Sequence, residues 1–214
     1  MSQELLVIPA QSCGSFHLKE QSISFYKDSA YLQKHLSPQD FYLFLDLYEK
    51  SSCQPKKARP LLEKLLIQHP TLPELYNLLA FVYIRLKKIK KADLTLITAY
   101  KTCPDDLLTK INYADYCLRR RKIHEVLSIF DGHKDLRDLY PSKNTFHLAE
   151  FRGFMVVMGH LHLELKDKEK ALQYLYLAKK VAPKHPSVLF LQKKLYKTPF
   201  LKKLSSLFNI KTFF

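Results

Sequence analysis

The chain has 214 residues, of which 47% are hydrophobic and 13% aromatic, and this composition excludes an intrinsically disordered protein. Its four glycines argue against a glycine-rich phosphate loop and against a turn-rich β fold. The net charge of +15 admits acidic proteins, nucleic acid and anionic lipid as partners, although a lysine-rich proteome alone would produce the same charge.

The cysteines and the N-terminal sequence predict a soluble cytoplasmic protein. The four cysteines form no CxxC pair, which favours free thiols in a reducing compartment. The N-terminal apolar patch covers only Leu5–Ile8 and follows no basic segment, so general secretion is not expected. No apolar stretch approaches the roughly 20 residues that a membrane-spanning helix needs.

The N-terminal part of the chain is predicted to begin without regular structure. Residues 1–20 are interrupted by a proline and a glycine, and a helix is expected from Ser22 to His35. Ser37 and Pro38 then mark a new helix start, because serine caps free amides and proline suits the first turn. The helix that follows, Phe41–Lys50, is almost entirely apolar or aromatic, which indicates burial on more than one side.

The helical pattern continues in pairs of short helices up to residue 130. Thr71 and Glu74, three residues apart, predict a capping box at the start of one of them. The predicted bounds of these helices are 56–68, 74–87, 90–102, 106–119 and 123–130.

A polar stretch at 133–145 interrupts the helices, which resume at 146–165 and 168–181. One more helix is expected from Ser187 to Tyr196, followed by an amphipathic piece at Phe200–Phe208. That piece would dock on the last helices, or contact a partner or a membrane surface. No stretch alternates clearly enough to predict a strand.

A period of 34 residues relates these helix pairs to one another. In three of them an alanine lies 12 residues before a proline that ends the pair. A generic helical bundle does not predict such registration, whereas a helical-hairpin repeat does. The three pairs are Ala58 and Pro70, Ala92 and Pro104, and Ala171 and Pro183.

These residues resemble the tetratricopeptide repeat family, whose pattern has aromatic, leucine and small residues at fixed positions before a closing proline. The resemblance weakens at Asp46, Val126 and His133, which occupy small-residue positions, and about 11 extra residues precede the last copy. In the second copy the matching residues are Tyr76, Leu79, Ala80, Tyr83, Ala92, Leu96, Ala99 and Pro104.

The resemblance implies an all-α fold, a right-handed α-α solenoid of helical hairpins with extra N- and C-terminal helices. Residues 1–36 would form an N-terminal segment and helix, 37–185 the solenoid, and 186–214 a capping helix with an amphipathic tail. The four repeats are expected at 39–72, 73–106, 107–131 and 152–185, with an insert at 132–151.

The resemblance also implies that the first helices of the hairpins line a concave groove. More than half of the implied positions are apolar, which suits a hydrophobic helix or peptide, or one of the chain's own segments filling the groove. The lysine and asparagine with which some family members clamp a C-terminal carboxylate are missing. The implied positions are Asp40, Leu43, Leu47, Lys50, Glu74, Asn77, Phe81, Ile84, Leu108, Ile111, Asp115, Leu118, Gly153, Val156, His160 and Leu163.

Basic residues concentrate at three of the predicted hairpin turns. Equivalent positions stack in a solenoid, so they would form one positive edge that attracts an acidic protein or nucleic acid. Lysine also belongs in solvated turns, and no RNA-binding motif accompanies these residues. The edge consists of Lys56, Lys57, Arg59, Arg85, Lys87, Lys88, Lys90, Lys91, Arg119, Arg120, Arg121 and Lys122.

No motif in the sequence indicates catalysis, a cofactor or a metal. His160 and His162 are two residues apart on a helix and so face different sides, and there is no HExxH motif or Cys/His ligand spacing. No nucleophile elbow, Walker loop or dinucleotide-binding fingerprint is present. We therefore expect no enzyme and no cofactor.

The sequence thus favours a protein-interaction module, an adaptor, scaffold or chaperone that binds a hydrophobic segment in its groove. A second hypothesis is a chaperone of a bacterial type III secretion system, although such chaperones are usually acidic. A third is a binder of nucleic acid or anionic surfaces through the basic edge. The identity of the partner and the oligomeric state stay open at this point.

Overall fold

The computed structural model describes residues 5–26 and 29–197 of the chain. The amphipathic piece predicted at Phe200–Phe208 lies outside the described residues. Of the described residues, 68% are helical, and most of the helices pair into hairpins, as predicted. The helices are α1 Ala30–His35, α2 Pro38–Cys53, α3 Pro55–Gln68, α4 Pro73–Arg85, α5 Ile89–Thr102, α6 Leu107–Arg119, α7 Ile123–Ile129, α8 Leu136–Leu139, α9 Leu148–Glu164, α10 Lys168–Val181 and α11 Pro186–Lys197.

The chain divides into two compact units. The first, here called the helical unit, is Tyr26–Arg120 and contains α1 to α6. The second, the sheet-containing unit, combines the described parts of Met1–Phe25 and Arg121–Phe214.

The core of the helical unit lies between consecutive helices. Leu47 of α2, Leu62 of α3 and Leu75 of α4 are completely buried in one hydrophobic cluster. Burying a leucine side chain contributes about 1.5–3 kcal/mol each, so these contacts dominate the stability of the hairpins. Ala58 and Ala92, two of the alanines in the 34-residue register, are also buried and permit adjacent helices to approach closely.

Local signals explain where these helices begin and end. Ser37 caps α2 by accepting a hydrogen bond from the Asp40 amide at 3.1 Å, with Pro38 in the first turn, as predicted. The capping box predicted at Thr71 and Glu74 is wrong, since α4 has Leu72 at its N-cap and no side-chain cap. Pro73 takes the first helical position, and this displaces Thr71 by one residue from the capping position.

The connection between α4 and α5 has a defined backbone conformation. Lys87 adopts a left-handed conformation with φ of 58°. Its amide donates to the Ile84 carbonyl at 2.9 Å, and the Lys88 amide donates to the Tyr83 carbonyl at 2.8 Å. These two bonds form the Schellman type of helix end, which normally places glycine at the left-handed position.

The sheet-containing unit corrects the prediction for the N-terminal residues. Residues 1–20 were expected to be irregular and Ser22–His35 helical, with no strand in the chain. The structure instead has strands in this region, and among the described residues of the predicted helix the helical part is Ala30–His35. The strands of this unit are β1 Leu5–Ile8, β2 Gln11–Cys13, β3 Phe16–Leu18, β4 Gln21–Ser24 and β5 Thr145–His147.

The strands form two small sheets. β4 pairs with β1 antiparallel and with β5 parallel, in the order β1-β4-β5. β2 and β3 form a hairpin whose turn contains Gly14 at φ of 58°, a conformation that glycine adopts without steric cost. The insert predicted at 132–151 is thus structured, because its strand β5 completes the sheet that the N-terminal residues begin.

Asp135, at the start of α8, holds the insert to the N-terminal strands. It is 2% exposed and accepts hydrogen bonds from the Lys19 amide at 2.7 Å and the Gln21 side-chain amide at 2.9 Å. A third bond comes from the Arg137 amide at 2.6 Å. Burial raises the pKa of Asp135 while these donors oppose that shift.

The hairpin of α9 and α10 carries the remaining helical core of this unit. Gly159 of α9 lies against Leu191 of α11, where an added Cβ would come within 2.5 Å of the leucine side chain. Ala171 and Ala178 of α10 are fully buried. The small residues of the repeat pattern therefore lie at close helix contacts here as well.

Candidate protein-interaction surface

Four of the predicted groove residues line a single cleft in the helical unit. Asn77, Phe81 and Ile84 reach it from α4, and Asp115 reaches it from α6. Its volume is about 410 Å³, within the size range of about 300–1,000 Å³ that ligand pockets occupy. Of the groove positions that the family resemblance implied on α4 and α6, these four lie at the cleft.

The cleft has an apolar base and an exposed apolar rim. Phe81 and Ile84 are 40% and 49% exposed, and Ile89 at the start of α5 is 47% exposed. Leu96 and Ala92 of α5 are buried beneath them. Sequence reasoning missed the contribution of α5, because the family pattern assigns the groove to first helices alone.

Two of the residues that line the cleft, Asn77 and Asn112, have uncharged polar side chains. The Asn112 side-chain amide donates to the Asn77 side-chain carbonyl at 2.8 Å. The Asn77 amide lies 3.5 Å from the Thr109 hydroxyl. An asparagine side chain offers two donor hydrogens and two acceptor positions, so both amides keep capacity to bond a peptide backbone.

A buried carboxylate organises the charged end of the cleft. Asp93 of α5 is 5% exposed and accepts hydrogen bonds from Arg119 at 3.1 Å and Arg120 at 2.8 Å. Arg119 also donates to Asp115 at 3.1 Å. The hydrogen bond and charge of Asp93 raise the pKa of Arg120 further above its ordinary value. Both acids are therefore neutralised locally by arginine.

Other predicted groove residues are buried and are not available to a partner. Leu47 is fully buried in the core, and Leu43 is half-buried against the same cluster. Ile111 and Leu118 of α6 are also buried. The exposed surface is therefore narrower than the sequence predicted.

The predicted groove positions on α9 are buried too. Val156 and His160 are 5% and 8% exposed, and the His160 ring lies 5.6 Å from the ring of Phe190 on α11. Burial, aided by the positive charge of Lys194, lowers the pKa of His160 to about 4. His160 is therefore neutral at pH 7, and the α11 helix covers this face of α9.

The residues of the predicted basic edge lie on the surface within each unit. Lys56, Lys57, Arg85, Lys87, Lys88, Lys90, Lys91, Arg119 and Arg120 of the helical unit are exposed, as are Arg121 and Lys122 of the other unit. Arg85 donates to the Ser52 carbonyl at 3.0 Å, and Lys122 pairs with Glu125 at 2.8 Å.

Within residues 5–26 and 29–197, no three histidine, cysteine or acidic side chains come together in a way that could hold a metal ion. No helix in the same part of the chain combines the length and apolarity needed to cross a membrane.

Paired antiparallel helices with buried small residues in a 34-residue register define a helical-hairpin repeat, a class that presents binding surfaces to other proteins. The tetratricopeptide repeat family model matches residues 154–185, which comprise most of the α9–α10 hairpin. This match confirms the resemblance to the tetratricopeptide repeat family.

No curated protein matches the sequence. The crystal structure of YrrB, a TPR protein with an unusual peptide-binding site, is similar to this chain with 22% sequence identity and a TM-score of 0.42. The similarity covers 72% of this chain and 70% of YrrB. The family match at residues 154–185, and not this similarity, supports the assignment.

Proposed function

We propose that the protein is a non-enzymatic interaction module of the adaptor, scaffold or chaperone type, which binds a hydrophobic segment of another protein. The segment would occupy the cleft between α4, α5 and α6. The observation that carries this proposal is the pair of exposed apolar side chains, Phe81 and Ile84, above a recess with buried Leu96 at its base.

The energetics favour a segment with several anchors. Covering the exposed parts of Phe81 and Ile84 contributes about 1 kcal/mol each, since full burial of such a side chain contributes about 1.5–3 kcal/mol. A micromolar complex requires about 8 kcal/mol, so the anchors of the partner and hydrogen bonds from Asn77 and Asn112 must supply the rest. A short linear segment with two or three apolar anchors meets this requirement.

The test is selection of displayed random peptides on the immobilised full chain, followed by affinity measurement on purified peptides. Phe81→Glu places a charge on the cleft rim and should weaken every selected peptide at least about tenfold. Ile67→Glu is the matched control, because Ile67 is 80% exposed on α3 and does not line the cleft. Circular dichroism of both variants would establish that they fold like the parent protein.

The proposal fails if no peptide is selected, or if Phe81→Glu and Ile67→Glu have equal effects. A cleft filled by a segment of the same chain would give the first result. Ile111 is unsuitable for this test, because it is 3% exposed and a charge there would disrupt the core.

The proposed setting is the cytoplasm. The cysteines are free, and Cys13 and Cys53 are exposed on the surface. Exposed free thiols persist in a reducing compartment, which supports this location.

A further inference from the structure

A group of cations near the cleft in the sequence indicates which charge the bound partner carries. The segment 85–91, which runs from the last residue of α4 through the connection into the first turn of α5, reads RLKKIKK and contains five cations and no acid. Ile84, just before it, and Ile89, within it, both line the cleft. The cations of this segment therefore adjoin, along the chain, two residues that line the cleft.

The position of these cations is set by the backbone. The hydrogen bonds from Lys87 and Lys88 to the last turn of α4 fix the path of the connection. Lys87, Lys88 and Lys90 are exposed and have no ion-pair partner among the residues that the structure describes. Their charges are thus exposed to solvent and are not offset by an ion pair within the described part of the chain.

The acids near the cleft do not offset this charge. Asp93 and Asp115 are both held by Arg119, and Asp93 is held by Arg120 as well. Two carboxylates and two guanidinium groups leave no net negative charge at that end. The local potential at the cleft is therefore positive, and a basic partner would be repelled.

We infer that the segment bound in the cleft carries Asp or Glu residues beside its apolar anchors. This inference rests on the proposed function and adds the charge of the partner to it. A protein segment fits better than nucleic acid, because Phe81 is the one aromatic side chain among the described residues that line the cleft. Single-stranded nucleic acid requires several such rings to stack its bases.

The experiment compares the residues that flank the apolar anchors in peptides selected on the full chain. We expect Asp and Glu to be enriched there and Lys and Arg to be depleted relative to the starting library. For one selected peptide, replacing its acids by glutamine should weaken binding about tenfold. Raising the ionic strength from about 50 to about 500 mM should remove most of that difference, since exposed charges are screened.

A charge-reversed protein tests whether the cations of the segment 85–91 are responsible. Lys88→Glu/Lys90→Glu should weaken binding of the acidic peptide about tenfold. The same double variant should bind more tightly to a peptide in which lysines replace the acidic residues. Lys64→Glu/Lys101→Glu is the matched control, because both lysines are exposed in the helical unit and, unlike Lys88 and Lys90, neither is next in sequence to a residue that lines the cleft. The control should change affinity less than about twofold.

The outcomes separate the two proposals. Peptides whose binding depends on Phe81 but shows no acidic preference would overturn the inference and leave the proposed function standing. Equal effects of the two double variants would also overturn it. If no selected peptide depends on Phe81, the proposed function itself fails. Displacement of the acidic peptide by a single-stranded RNA oligonucleotide at equimolar concentration would instead assign the cations to nucleic acid.

Discussion

Two helices in corresponding repeat positions have opposite surroundings, and the difference shows what decides whether a groove is open. α4 in the helical unit exposes Phe81 and Ile84 to a cleft. α9 in the sheet-containing unit carries Val156 and His160 at the positions that correspond to Asn77 and Phe81, and both are buried. The same repeat position therefore yields a surface on one helix and a core contact on the other.

The cause lies in the next element along the chain and not in the repeat itself. The residues after α10 form α11, and Phe190 and Leu191 of that helix pack against His160 and Gly159 of α9. In the helical unit, α6 contacts α4 but leaves a cleft of about 410 Å³ between them. A position in the repeat pattern thus predicts which face of the helix a side chain lies on. Whether that side chain is exposed depends on the element that packs against this face.

The largest expected effect distinguishes a core position from a cleft position within the helical unit. Leu47→Ala should lower the free energy of unfolding by about 2–5 kcal/mol, since it opens a cavity at a completely buried site. Phe81→Ala should lower it by only about 1–2 kcal/mol, because that side chain is already 40% exposed. Urea denaturation of both variants measures the difference, and similar losses would contradict the assignment of Phe81 to an open cleft.

The sequence was sufficient for the helices because local signals and the 34-residue register act together. Pro70, Pro104 and Pro183 follow the ends of α3, α5 and α10, and the alanines of the register are buried. The fourth hairpin was predicted at 146–165 and 168–181, and the structure has it at Leu148–Glu164 and Lys168–Val181. Helical periodicity is a local property, so one chain segment reveals it.

The strands could not be predicted in the same way, because their pairing is not local. β4 is four residues long and pairs with β5, more than 120 residues later in the chain. Leu5–Ile8 has the apolar and β-branched residues of a strand, but with so few residues its periodicity indicates nothing by itself. The turn with Gly14, between Cys13 and Phe16, is a local signal of a hairpin.

The candidate surface was predictable in part for a related reason. Asn77, Phe81, Ile84 and Asp115 follow from the helical direction of the repeat positions. Asp93 could not be recognised, because its role depends on Arg119 and Arg120 from another helix. From the sequence alone, a buried aspartate among the lysines of α5 cannot be distinguished from an aspartate on the solvent-exposed surface.

Acidification should destabilise the sheet-containing unit selectively. The folded-state pKa of His160 is lowered to about 4 from a normal value of 6.5, so the unfolded chain binds the proton more readily. The stability from neutral His160 is complete above pH 6.5 and is lost as the pH falls toward 4. We expect the free energy of unfolding to fall by about 2 kcal/mol between pH 7 and pH 5. Burial also lowers the pKa of His162, so its protonation destabilises the fold in the same pH direction.

His160→Leu is the matched variant for that measurement. It should lose less stability between pH 7 and pH 5 than the parent protein, by about 1–2 kcal/mol in thermal or urea unfolding. An unchanged pH dependence in this variant would contradict the burial of His160 beneath α11.

Gly159 tests the close contact between α9 and α11 with a double-mutant cycle. Gly159→Ala should destabilise the protein by about 1 kcal/mol, because the added methyl group would displace the Leu191 side chain. In a Leu191→Ala background the same substitution should stabilise it by up to about 1 kcal/mol, since alanine favours a helix over glycine. Additive effects of the two substitutions would contradict direct contact at this position.

The smallest expected effect concerns two lysines with the same backbone conformation in different units. Lys87 and Lys166 both follow a first helix with positive φ, 58° and 62° respectively. Glycine adopts this conformation without steric cost, so Lys87→Gly and Lys166→Gly should each raise the free energy of unfolding by about 0.5–1 kcal/mol. Urea denaturation should show nearly equal gains.

Binding should separate these two variants, because only Lys87 belongs to the cationic connection beside the cleft. Lys87→Gly should weaken an acidic peptide selected on the full chain by about two- to threefold, whereas Lys166→Gly should leave its affinity unchanged. If the two variants gain equal stability but only Lys87→Gly loses affinity, the charge of Lys87 contributes to binding although its backbone conformation is unfavourable for lysine. Equal binding losses would instead indicate a general effect of net charge, and the cleft would then have no local preference for acidic segments.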